Sequence, residues 1–74
     1  MTLKEAIRDN LWKYMREHGY EDMSVREFAE MTKTNPVQMG KYMNGFAVPT
    51  LAVALRLSKA LDITVEQLTE GGEV

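Results

Sequence analysis

Ser24-Val-Arg-Glu-Phe-Ala-Glu-Met-Thr-Lys-Thr-Asn-Pro-Val-Gln-Met-Gly-Lys-Tyr-Met-Asn-Gly45 is the stretch that decides the fold. Ser24 with Glu27 three residues on has the form of a capping box, which satisfies free N–H groups at a helix start. Asn35 followed by Pro36 is a second start signal, with proline at the first helical position where its missing N–H is harmless. Asn44-Gly45 closes the second segment, because both residues tolerate the left-handed backbone at a helix end. The spacing predicts a helix from about Val25 to Met31 and another from about Pro36 to Met43. Two capped helices with a short turn between them make a helix-turn-helix over residues 24–45.

Outward from this stretch the same signals repeat. Thr2 and Glu5 cap a first helix that runs to about His18, where Gly19 stops it. Its apolar residues Leu3, Ala6, Ile7, Leu11, Tyr14 and Met15 form one stripe. Thr50 caps a fourth helix, expected to bury Leu51, Ala54, Leu55, Ser58 and Leu61. Asp62 ends it in a position that tolerates positive φ. Thr64 and Gln67 cap a short fifth helix carrying Val65 and Leu68. The expectation is an all-α, compact five-helix domain over residues 1–69, with residues 70–74 a frayed acidic tail. Phe28 and Leu55 are expected in the core.

The 74 residues suffice for one small domain, and 45% hydrophobic content suffices for a single core. Without cysteine there are no disulfides, and His18 alone matches no familiar zinc pattern, so no metal or cofactor is expected. His18 reads as a favourable charge at a helix end, and no partner for nucleophilic catalysis is visible, so enzymatic activity is not expected. The apolar runs are too short to cross a membrane and the first residues do not resemble a signal peptide, which makes the cytoplasm the default location.

The net charge of −2 conceals a segregation. Residues 1–30 hold five bases and seven acids; residues 31–61 hold Lys33, Lys41, Arg56 and Lys59 and no acid; residues 62–74 hold four acids and no base. The acid-free segment contains the turn and the third helix. Contact with nucleic acid requires such a local positive field, not a basic chain. On the third helix, Met39, Tyr42 and Met43 fall on one side and Val37, Gln38 and Lys41 on the other. Glutamine can pair with adenine, lysine can donate to guanine or phosphate, and valine can touch a thymine methyl.

The run from Ser24 to Leu68 resembles the Cro/cI-type, lambda-repressor-like helix-turn-helix domain of phage and bacterial regulators. The resemblance rests on Phe28-Ala29, Met39, Asn44-Gly45, Pro49-Thr50-Leu51, Leu57 to Thr64 and Glu66-Gln67-Leu68. It implies a DNA-binding transcription regulator, expected as a homodimer on double-stranded DNA, with Pro36, Val37, Gln38 and Lys41 facing bases. Asn35, Asn44 and the backbone around Phe46 would approach phosphate, and Lys33 in the turn is placed with them. Three positions depart from the family pattern. Lys33 stands where glycine is usual and calls for a left-handed backbone or an altered turn; Val25 stands where a phosphate-gripping glutamine is frequent; and the third helix carries no arginine. These departures keep a second reading open, a protein-binding module on the same scaffold that contacts another regulatory protein. Trp12 lies outside the first helix's apolar stripe and is the candidate anchor for a protein interface. Gly40 inside the third helix is read as permitting close approach of a DNA backbone or another helix.

Overall fold

Each helix begins one residue after a side chain that accepts hydrogen bonds from its first free N–H groups. In the computed structural model, which describes residues 1–73, the order is α1 (Leu3–Glu17), α2 (Val25–Met31), α3 (Pro36–Met43), α4 (Leu51–Leu61) and α5 (Val65–Leu68). Thr2, Ser24, Asn35, Thr50 and Thr64 are the caps, and at Thr2, Ser24 and Thr64 the box is reciprocal with Glu5, Glu27 and Gln67. Backbone and hydroxyl hydrogen bonds from Thr2 hold the Glu5 carboxyl below its ordinary pKa. The folded pKa is the lowered one, so this box contributes above the ordinary carboxylate pKa and is lost as pH falls through the lowered value.

Four helices end in the same way. The N–H of Tyr20 donates to Met15 O at 2.7 Å, Thr34 to Ala29 O at 2.8 Å, Phe46 to Lys41 O at 2.8 Å and Ile63 to Ser58 O at 2.9 Å. Each of these six-to-one bonds spans a residue in the left-handed region: Gly19, Lys33, Gly45 and Asp62. Glycine occupies that region freely, and aspartate is enriched there relative to other residues. Lys33, at φ 58°, gains no such relief. The strain of a side chain there is about 1–2 kcal/mol. Part of that strain is offset in a Lys33→Gly variant by the greater freedom of unfolded glycine. Lys33→Gly should therefore raise the urea-unfolding free energy by about 0.5–1 kcal/mol. A loss of stability would show that the lysine side chain makes compensating contacts.

The core is shared by all five helices. Ile7, Leu11 and Met15 of α1, Phe28 of α2, Met39 and Met43 of α3, Leu57 and Leu61 of α4 and Leu68 of α5 are all fully buried. Helix α3 packs on α1 and α2, while α5 packs on α1 and α4. The turn between α2 and α3 is tightened from inside: the buried Thr32 hydroxyl lies 3.0 Å from Phe28 O, to which it donates, and 3.1 Å from the Thr34 hydroxyl.

Two expectations are corrected. Leu51 and Leu55 are 71% and 45% exposed, and the leucine that α4 buries between Ala54 and Leu61 is Leu57. The cause is a rotation of the buried face by a fraction of a turn. The segment after α5, read from the sequence as a frayed tail over 70–74, is held in place at residues 70–73, while Val74 lies outside the described residues. Asn10 Nδ2 donates to Leu68 O at 2.8 Å and Glu70 O at 3.0 Å. The Glu73 N–H donates to Met1 O at 3.0 Å, which leaves Thr2 and Glu73 in a parallel bridge. Gly72 permits the approach, since a Cβ there would stand 3.0 Å from the Leu3 Cα.

Candidate nucleic-acid interface

Helix α3 divides along its length as its sequence dictates. Met39, Tyr42 and Met43 point into the core, and Pro36, Val37, Gln38, Lys41 and Asn44 are exposed. Val37 is 67% exposed on this face. No acid lies in the first turn of α3, and the ion pairs among the described residues are Arg8–Asp9 and Arg26–Glu30. Lys33, Lys41, Arg56 and Lys59 are thus cations without a salt-bridge partner among those residues. Of the acids in residues 62–74, Asp62 caps the end of α4, while Glu66 lies in α5 and Glu70 and Glu73 follow it; α5 packs mainly on α1 and α4.

The residues expected near phosphate fare differently. Asn35 uses Oδ1 to accept from the Val37 and Gln38 N–H groups at 2.9 and 3.2 Å, which turns its amide into a cap but leaves Nδ2 free to donate. Asn44 spends Nδ2 on Gly40 O at 2.7 Å. The Phe46 N–H is consumed by the six-to-one bond to Lys41 O. The backbone donors that remain in this loop are one and two residues further on: Ala47 and Val48 have no hydrogen bond among the described residues. The sequence carried the signal for this, since a left-handed stop at Gly45 commits the following N–H to the helix it terminates. Lys33 lines a cleft with Arg56 and Lys59, and Lys41 is not among the residues lining it.

Helix α1 adds two groups beside the end of α3. An ideal Cβ on Gly45, at φ 75°, would be 3.3 Å from Arg8 Cδ, so the guanidinium of Arg8 lies beside this loop. Asp9 binds that guanidinium at 2.8 Å, raising its pKa and offsetting part of its charge. Arg8 was not among the sequence candidates because only packing brings it here. One turn along α1, Trp12 is half-buried, with Nε1 donating to Met43 O at 2.8 Å. The ring is pinned by its polar edge and is partly exposed, as its position outside the apolar stripe predicts.

Gly40 has open space where its side chain would be, so no helix of this chain requires a glycine there. Gly40→Ala should stabilise the free protein by about 0.5–1 kcal/mol, read from urea unfolding, because alanine loses less backbone entropy in a helix. A destabilised variant would reveal crowding that the folded chain does not display.

A family model, the Cro/C1-type HTH DNA-binding domain, matches residues 10–70. The chain belongs to that family, and the all-helical architecture agrees with it. No curated protein and no solved structure matches the chain.

Proposed function

We propose that this chain is a sequence-specific, DNA-binding transcription regulator of the phage and bacterial type that lays α3 in the major groove. The observation that carries the reading is the exposed, acid-free face of α3, on a scaffold whose family binds DNA. Gln38 and Lys41 supply hydrogen-bond donors to base edges, and Pro36 and Val37 supply apolar contact. The Asn35 side-chain amide, the Asn44 region and the N–H groups of Ala47 and Val48 face phosphate on either side. Two copies act together on a two-fold site in the cytoplasm. The exposed apolar side chains of Phe46, Val48, Leu51 and Leu55, on α4 and the loop entering it, are available for that pairing, and Trp12 borders the same end of α3.

Titration with random-sequence duplex at rising salt tests this. With three or four phosphates neutralised, affinity should fall about 40- to 150-fold between roughly 50 and 200 mM salt. Lys41→Ala should lower the logarithmic salt slope by about 1 if its contact is to phosphate, and Gln38→Ala should alter sequence preference by about 1–3 kcal/mol. Absence of binding at low salt would favour the second reading, a module that binds another protein. One observation supports that alternative: three of the residues offered by α3, namely Pro36, Val37 and Gly40, have no side-chain donor.

A further inference from the structure

The turn of the helix-turn-helix faces α4 across a cleft of about 380 Å³ lined by Met31, Thr32, Lys33, Arg56, Lys59 and Ala60. Three of the six residues are cationic, none is acidic, and no salt bridge among the described residues engages the three cations. The nearest acids along the chain are Glu30, which faces Arg26 at 3.6 Å, and Asp62, which caps the end of α4; neither is ion-paired with Lys33, Arg56 or Lys59. Such a concentration of like charge repels itself unless an anion completes it. Lys33 sharpens the point, because it holds a backbone position that glycine would occupy without strain.

The apolar part of the lining decides which anion fits. Met31, 40% exposed, and Ala60, beside the two α4 cations, are its two apolar residues. A phosphodiester backbone would leave that apolar lining uncovered. A peptide that alternates carboxylates with an apolar side chain would satisfy both parts, carboxylates on the rim and an apolar anchor over Met31. We propose that this cleft is a docking site for an acidic segment, bearing an apolar anchor, of a partner protein. The site is separate from the base-facing side chains of α3, so a partner seated here leaves Gln38 and Lys41 free.

The test uses the full chain, labelled with nitrogen-15 and titrated with a short acetylated peptide of aspartates and glutamates interrupted by one leucine and one phenylalanine. Hexaglutamate serves as the charge-only control. The peptide should shift the amides of Met31–Lys33 and Arg56–Ala60 most, with a Kd on the order of 100 μM, and leave those of Val37–Lys41 unmoved. Hexaglutamate should bind about fivefold more weakly, having no anchor for Met31. The double variant Arg56→Gln, Lys59→Gln should weaken the peptide about tenfold with unchanged helicity, whereas Lys41→Ala should not weaken it. The proposal is overturned if the peptide shifts other surfaces or none, or if hexaglutamate binds equally well. It is also overturned if the double variant loses random-duplex affinity and salt slope as Lys41→Ala does, since the cleft would then be a phosphate track. Concentration-dependent shifts at these amides without peptide would assign the cleft to a second copy of the chain and overturn it too.

Discussion

Phe28→Ala should leave a chain that no longer melts cooperatively. The ring is fully buried, and the only other residue α2 buries is the small Ala29. Removing it takes away the main attachment of the first helix of the motif and leaves a cavity that a seven-residue helix cannot collapse to fill. A buried phenylalanine truncated to alanine costs about 3–5 kcal/mol. Small domains commonly have only about 5 kcal/mol of stability to lose. Circular dichroism melting decides the matter: a cooperative transition near the parent temperature would mean that the core is organised elsewhere. Because α2 supports α3, random-duplex binding should vanish with the fold.

Leu57→Ala should cost about 2–5 kcal/mol in urea unfolding. Leu55→Ala, two residues earlier, should cost less than about 1 kcal/mol. The difference follows from exposure alone, none for Leu57 and 45% for Leu55. Equal losses would show that α4 is rotated from the position described.

That pair also marks where the sequence misleads. At about 100° per residue, α4 offers two overlapping apolar stripes. One runs through Leu51 and Leu55, the other through Val53 and Leu57, and both share Ala54, Ser58 and Leu61. Periodicity cannot choose between them; the helices packed against α4 do. By contrast, every helix start was legible, because a cap such as Thr2 with Glu5 or Asn35 with Pro36 is a local bargain among adjacent residues. The stops at Gly19, Gly45 and Asp62 were legible for the same reason. At Lys33, where the resemblance left a left-handed backbone or an altered turn open, the structure takes the first.

The candidate interface was legible along α3, where Met39 faces inward and Val37, Gln38 and Lys41 outward as helical spacing requires. It was less legible where tertiary contacts intervene. Arg8 reaches Gly45 only because α1 packs on α3, and Lys33 meets Arg56 and Lys59 only because α4 folds back along the turn. The docking of residues 70–73 depends on Asn10, some sixty positions away, and on the missing side chain of Gly72. No local pattern announces either.

The bond from the Glu73 N–H to the Met1 carbonyl brings two points at opposite ends of the described chain into contact, so the backbone traces a nearly closed ring. Once α1 and α5 are packed, the last residues are a tethered ligand for the start of α1, held at a high effective concentration by a very short leash. They need little intrinsic affinity to stay bound. A mechanical load drawing Met1 and Glu73 apart would reach this clasp before it reached the core.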